Sequence, residues 1–491
     1  MSKASSPSFV LTLRLETDNV VLDKRFKIAN HIYNVLVKHA RKAISQLKQD
    51  KEYQAITMKY RNKLTLIKED KAKLSALRIK YGLSEYQFHE YVIKQKQFFT
   101  KHIDINTAQK IATAVWKSVE VYLFKKGKTI HFKKSINLSS VEGKTNKSGI
   151  RFKQNTLHWK GLVIPVRIKK KDVYAKDCLS SYAIKYCRII RKWHKHNFRY
   201  YVQLVLRGIP PQRNKISISD SRVVGIDPGT STMAIVSKDS VIFTELGKNV
   251  VEIEKDIKRL NRKSDRQRRS NNSNNYNIDG TIKRVNKGCK RKWIISKRHR
   301  CTIDKTKELY RKRAESLRYE HNKLANQVLS ECGTDIYSEQ MSYKGLQLRS
   351  SKTEISEKTG TFKRKKRFGK SLLNHAPSMF LNILNTKLSY IEKHICYVDT
   401  YKTKCSQYNH ITGEYVKETL NERWKQLDDK TKVQRDLYSA YLLMNMKTQI
   451  EIDMNSCFTN FDNFIIKHDN CVDALVKEKQ EGVVFPSCMG I

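Results

Sequence analysis

Residues 223–237, VVGIDPGTSTMAIVS, hold two apolar runs split by Pro228-Gly229. Runs of this length bounded by turn residues form strands of a buried sheet. At the end of the first run stands Asp227. A buried strand excludes an unpaired carboxylate, because taking the charge out of water is costly. The segment therefore demands a central sheet with an aspartate on its face, beside a glycine that lets a ligand or another backbone approach closely. Taken alone, Asp-Pro-Gly is equally well a turn with a capping aspartate.

Two later segments carry one carboxylate each. Residues 335–345, DIYSEQMSYKG, follow Gly333 and read as a short strand ending in Glu339. Residues 433–445, VQRDLYSAYLLMN, place Asp436 at the start of an amphipathic helix with Leu437, Ala440, Tyr441 and Leu443 among its apolar positions. An aspartate there also interacts favourably with the helix dipole, and glutamates are common at strand ends. Neither is diagnostic alone. Their order is more specific: strand aspartate, strand-end glutamate, helix-start aspartate, at intervals of about a hundred residues. That is the layout of a two-metal phosphodiesterase on an RNase H-like sheet. Such chemistry needs clustered hard oxygen ligands to hold two Mg2+ ions about 3.5–4 Å apart. Without metal, the same carboxylates repel one another.

The chain has 491 residues, enough for roughly three domains at about 150 residues each. Residues 9–15 (FVLTLRL) alternate as a strand does. From Phe26 to about Tyr122 apolar residues recur at helical spacing, as in Ala108, Ile111, Ala112, Val115 and Val119. Near Lys128 the period changes, and strands are expected at 129–132, 162–168, 183–189 and 198–206. The basic runs KKKD (169–172) and RKWHKH (191–196) are expected in the turns between them. Gly208-Ile209-Pro210-Pro211 and the polar residues 212–220 mark a domain boundary.

Beyond it, residues 240–244 extend the sheet. Residues 255–318 carry 23 Lys or Arg against 6 Asp or Glu, interrupted by the polar tract SNNSNNYN at 270–277. A long helix follows, with Ala314, Leu317, His321, Leu324, Ala325 and Val328 on one face, and Gly333 ends it. Residues 349–370 read as a polar, basic loop, and another helix is expected from about Pro377 to His394.

The net charge of +51 narrows the partners. A compact chain with this excess repels itself unless a polyanion is present, and nucleic acid is the natural counter-charge. A membrane-surface protein would show an apolar face or a lipidation signal. No stretch approaches the roughly 18 consecutive apolar residues of a membrane span, and residues 1–12 lack the features of a secretion signal. Ten scattered cysteines without a C-x-x-C pair read as reduced thiols. The expected location is the prokaryotic cytoplasm, nucleoid-associated when bound to DNA. Some aromatic side chains should stack on bases, but the sequence does not single them out.

In GIDPG (225–229), YSEQMSYKGL (337–346) and QRDLYSAYL (434–442), the sequence resembles the three RuvC motifs of transposon-encoded TnpB nucleases and the miniature type V CRISPR effectors that share them. The resemblance is strongest over 221–445. It implies a multidomain α+β chain: a helical recognition domain inserted in a β-rich wedge barrel, followed by an RNase H-like (RuvC) α/β nuclease domain. The implied boundaries are 1–25 for the first wedge strand, 26–127 for the helical recognition domain and 128–215 for the rest of the wedge. The nuclease domain would span 221–402, with a basic helical insertion at 250–330 and a lid loop at 340–372. Its third motif would occupy 433–450, with a C-terminal extension at 451–491.

Carried over by motif, Asp227, Glu339 and Asp436 are both the catalytic and the metal-binding residues, using two Mg2+ ions for which Mn2+ can substitute. The implied activity is RNA-guided DNA cleavage, with a guide RNA and target double-stranded DNA as partners and a short motif recognised beside the target. The family often carries a four-cysteine zinc ribbon between the second and third motifs. Here residues 403–432 offer only Cys405 and His410, which do not make a tetrahedral site. This subdomain is expected to be free of zinc and packed around Tyr415, Leu420 and Trp424. Two alternatives remain at this level: a transposase or resolvase working without guide RNA, and a guide-dependent repressor that binds without cutting.

Overall fold

The computed structural model describes the chain except residues 1–6, 18, 61–64, 125–126, 196, 212–220, 287–288, 290, 357–359, 363–364, 366–367 and 420–421. It divides into two compact units, Met1–Pro211 and Gln212–Ile491. The expected boundary tract 212–220 lies outside the described residues, and the division falls at its edge.

The first unit opens with β1 (Ser8–Leu15), whose strict alternation buries Phe9, Leu11, Leu13 and Leu15. Five helices follow: α1 (Asn19–Gln49), α2 (Lys51–Lys59), α3 (Lys68–Lys80), α4 (Glu85–Lys96) and α5 (Ile105–Phe124). Helix α5 turns the expected face inward, burying Ala108, Ile111, Ala112, Val115 and Val119. The chain then forms β2 (Ser140–Glu142), β3 (Arg151–Lys153), β4 (Thr156–Trp159), β5 (Leu162–Arg167), α6 (Val173–Ser181), β6 (Ile184–His194) and β7 (Asn197–Arg207). The sheet order is β2-β6-β7-β1-β5-β4-β3, with every pair antiparallel. Strand β1 is thus internal, and the helical block α1–α5 is inserted between it and the rest of its sheet.

Two local expectations fail here for visible reasons. Residues 129–132 form no strand, because side chains of α1 take up the backbone groups a sheet would use. Arg41 Nε donates to Ile130 O at 2.8 Å, and the Asn34 amide exchanges hydrogen bonds of 2.8 and 2.9 Å with Lys133. The run 191–196 is not a basic loop, because β6 and β7 pair as far as His194 and Asn197. Arg191 is therefore buried in that hairpin, 6% exposed. Its Nε donates to Leu138 O at 2.9 Å, and its guanidinium lies 4.7 and 4.3 Å from the ring centres of Phe26 and Phe198. His196 lies outside the described residues.

The second unit contains a five-stranded sheet. A meander of β8 (Val223–Pro228), β9 (Thr232–Ser237) and β10 (Val241–Glu245) is followed by α7 (Val250–Ser270) and α8 (Lys297–Gln327). Next come β11 (Asp335–Glu339), α9 (Tyr343–Leu346), α10 (Gly369–His375), α11 (Pro377–Leu388), β12 (Cys396–Val398) and α12 (Thr400–Thr403). A small hairpin, β13 (Trp424–Gln426) and β14 (Lys432–Gln434), leads into α13 (Arg435–Met444) and α14 (Met454–Gln480). The sheet order is β10-β9-β8-β11-β12, with β11 parallel to both β8 and β12.

Gly333 ends the long helix with φ +147°, where a Cβ would lie 2.3 Å from Arg222 O. The helix starting at Pro377 stops at Leu388, earlier than expected, because the chain tightens into a 3-10 turn at Ser389–Ile391 and Glu392 adopts φ +60°.

Strand periodicity sorts this sheet into two faces. Val224, Ile226, Met233, Ile235 and Ile336 pack with Ala325, Val328, Phe380 and Leu384 of the α8 and α11 side. Ala234, Val236 and Phe243 pack with Leu437, Ala440 and Phe464 of the α13 and α14 side. The alternate residues Gly225 and Asp227 of β8, and Tyr337 and Glu339 of β11, belong to the second face.

Candidate active site

Asp227 and Glu339 sit at or next to the C-terminal ends of two neighbouring parallel strands. Asp227 pairs with Ala234 across β9, and Glu339 with Val398 across β12. Helix α13 packs on β8, β9 and β11 and brings Asp436 in its first turn. The contact that permits this is Gly225, where a Cβ would stand 1.9 Å from Ala440 O and 2.4 Å from Met444 N. Only a residue without a side chain lets the helix lie this close to the central strand.

The three carboxylates oppose one another's ionisation. Burial, then the charges of Glu339 and Asp436, hold the Asp227 carboxyl well above its ordinary range. Burial and Asp436 raise Glu339. Asp436 is raised by burial, although Arg435 and Arg423 favour its charged form. Each residue is only half-buried, so surrounding protein penalises the charge while one side stays open to solvent. Among the described residues no three His, Cys, Asp or Glu side chains close into a metal-binding group. The carboxylates thus lie within electrostatic range of one another without converging on one point. Their chemistry fits a divalent cation: three hard anionic oxygen donors, with no ion-pair partner for Asp227 or Glu339 among the described residues.

Helix α13 departs from the amphipathic expectation. Leu437 to Met444 are all buried, because the sheet covers one side and α14 with the 405–410 segment covers the other. Its start is built by residues that local patterning does not reveal. Gln434 is the N-cap, its Oε1 accepting from Leu437 N at 2.8 Å. Gln434 N donates to His468 Nε2 at 2.9 Å, and Gln434 Nε2 donates to Met489 O at 3.3 Å. The C-terminal extension therefore holds the cap of the helix that carries Asp436. Arg435 donates from Nη1 to Thr419 O at 3.1 Å and brings Nη2 to 3.6 Å from Asp436 Oδ1. Ser439 Oγ is buried without a hydrogen-bond partner, yet it lies near enough to Asp227 to favour its ionised form. No sequence signal points to His468. Gln434 and Arg435 adjoin Asp436 and lie within the motif itself.

Residues 403–432 pack differently from expectation. Tyr415 is 53% exposed and Leu420 lies outside the described residues, while Trp424 donates from Nε1 to Gly490 O at 2.9 Å. The buried residues among those described are instead Thr403, Cys405, Asn409, His410, Lys425 and Leu427. Lys425 is 1% exposed, with Nζ donating to Tyr408 O at 3.1 Å. Burial pushes the Cys405 thiol up to about 12, helped by the charges of Glu339 and Asp227. His410 is lowered to about 4 by burial, and its Nδ1 lies 2.7 Å from the Tyr438 hydroxyl.

Among the described residues no helix is long and apolar enough to cross a membrane. No family model matches the sequence, and no curated protein matches it. Among solved structures the chain is similar to one described as a cryo-EM structure of the Cas12f1-sgRNA-target DNA complex. The TM-score is 0.49 at 10% identity, covering 90% of this chain and 99% of that one. A second, described as a cryo-EM structure of a CRISPR-Cas12f ternary complex, has a TM-score of 0.27 at 12% identity, covering 88% of this chain and 82% of that one. The chemistry of the site therefore rests on its own residues.

Proposed function

We propose that the chain is an RNA-guided DNA endonuclease of RuvC type, hydrolysing phosphodiester bonds at Asp227, Glu339 and Asp436. The observation that carries this reading is the gathering of three mutually repelling, half-buried carboxylates at adjoining parallel strand ends and one helix start. A structural role would pair such groups with cations, yet the arginines nearby, Arg435 beside Asp227 and Asp436 and Arg423 beside Asp436, do not offset the burial that raises both carboxyls. Guide dependence is supported by the charge of +51 and by the motif resemblance.

Mg2+ held by these carboxylates, with Mn2+ as a substitute, would activate the attacking water and stabilise the leaving oxygen. The protein's own part is positional. The strand ends fix Asp227 and Glu339, Gly225 admits the helix, and Gln434 with His468 sets the turn that presents Asp436. Arg435 and Arg423 favour the charged form of Asp436 against the burial that raises its carboxyl. Guide RNA and target double-stranded DNA are the partners in this reading. No zinc is required in this reading, since residues 403–432 offer only Cys405 and His410 as soft ligands, too few for a tetrahedral site, and elemental analysis of the purified protein tests this.

The decisive experiment sequences the RNA that co-purifies with the protein and supplies a DNA target complementary to it. Asp227→Ala should lower cleavage at least about 1,000-fold while leaving binding intact. Guide-free cutting by the wild type, or unchanged cutting by the variant, overturns the reading. Strand joining would instead indicate a transposase, and cutting of four-way junctions a resolvase.

A further inference from the structure

Helices α7 and α8 pack together and are joined by residues 271–296. Helix α7 starts at the buried Val250 just after β10 and runs for 21 residues, so its far end stands about 30 Å along its axis from that start. At this tip the tract that reads as a mere interruption acts as a clamp. Asn272 Nδ2 donates to Arg268 O and Ile294 O, both at 2.9 Å, and its Oδ1 accepts from Ile294 N at 2.7 Å. Asn275 donates to Lys292 O at 2.9 Å. At and beside these fixed points Trp293, Ile294 and Ile295 are 36%, 59% and 46% exposed.

Exposed apolar side chains held by a fixed backbone form a contact surface. The chemistry around this one is cationic and aromatic. Tyr276 meets Trp293 edge to face at 5.9 Å, and the guanidinium carbons of Arg268 and Arg291 lie 5.5 and 5.7 Å from the Trp293 ring centre. Arg268 Nε, Arg291 Nη2 and the Tyr276 hydroxyl are shielded from water and have no hydrogen-bond partner. The rest of the Arg268 and Arg291 side chains is partly exposed, with Arg268 Nη2 3.5 Å from Asp265 Oδ1, and cations beside an exposed indole fit a ligand that brings both an anion and a flat ring. A nucleotide brings both. The tip stands about 30 Å along the α7 axis from the start of that helix. Structured RNA offers unpaired, splayed bases that stack on aromatic side chains and arginine planes.

We infer that the α7–α8 tip is a stacking platform for an unpaired RNA nucleotide, with the base on Trp293 and the phosphate on Arg268 and Arg291. This rests on the reading that RNA is a partner. The test uses the full chain and a 20-nucleotide single-stranded RNA of mixed sequence containing 4-thiouridine, with a DNA of the same sequence containing 4-thiothymidine. Irradiation should crosslink the RNA to the peptide carrying Trp293. Trp293→Leu should remove that adduct and weaken RNA binding about tenfold, while Trp293→Phe keeps affinity within about twofold. An unchanged adduct pattern and affinity in Trp293→Leu overturns the platform and leaves the RNA partner standing. Equal crosslinking of the DNA at Trp293 overturns the assignment to RNA. A wild type that binds no RNA overturns both the platform and the reading beneath it.

Discussion

Asp227 carries its charge at a cost, and the cost has a direction in pH. Burial and two neighbouring carboxylates raise its folded-state pKa above the unfolded value of about 3.9. The folded state therefore binds the proton more tightly, and the stability this gives is complete below the unfolded pKa and lost as pH rises through the folded one. In the absence of divalent cations, Asp227→Asn should melt higher than wild type at pH 8, with the gain shrinking towards pH 4. Each kcal/mol relieved corresponds to about 2–4 °C in a unit of this size. Adding Mg2+ should raise the wild type and narrow the gap. Scanning fluorimetry with a chelator and then with Mg2+ reads both, and a variant less stable than wild type at pH 8 in chelator would sink the account. The residues behind this behaviour were legible because strand periodicity and turn residues bracket Asp227 and Glu339. Ser439 and Cys405 were not, because their proximity to the site comes from packing between distant segments.

Helix α13 shows where reading by element succeeds and where it stops. Its existence and its start at Asp436 follow from the local pattern, but its burial on every side depends on α14 and on the sheet, which lie far away in sequence. The cap has the same origin: Gln434 is adjacent to Asp436, while His468 reaches it from α14. His468 Nδ1 lies 2.8 Å from Asp469 Oδ1, which fixes the ring so that Nε2 accepts from Gln434 N. Gln434→Ala and His468→Ala should each destabilise the second unit by about 1 kcal/mol in urea titrations. Their effects should fall short of additive, since they share one hydrogen-bonded unit. Cleavage should fall in both, because the turn presenting Asp436 loosens, while nucleic-acid binding should hold. Gly225→Ala is harsher. Its methyl would meet Ala440 O at 1.9 Å, so helix and strand must separate, and a loss of at least about 3 kcal/mol is expected. Wild-type stability in Gly225→Ala would mean that the helix does not seat on β8 as described.

At the scale of the whole molecule, charge decides more than any contact. The order of elements was legible because the period changes near Lys128 and the chain breaks at 208–211, and the two compact units divide at that break. What the sequence could not give was the length of β6 and β7, which take a basic run into the core hairpin. Not every cation therefore faces a partner: Arg191 is buried, and Arg311 lies against Glu308 and Glu315. The remaining excess is still large, since the chain carries 98 Lys or Arg against 47 Asp or Glu. If it serves phosphates, affinity must fall steeply with salt, because each neutralised phosphate adds about 0.9 to the log–log slope for duplex DNA and about 0.7 for a single strand. A slope of about −5 or steeper is expected for a guide-bound complex on its target. Asp227→Ala should leave that slope unchanged, since it removes no cation. Arg262→Gln and Arg266→Gln on α7 should each reduce it by up to about one if that helix faces the backbone. A shallow slope with high affinity would mean that the positive surface is not engaged with nucleic acid, and the central inference from charge would fall with it.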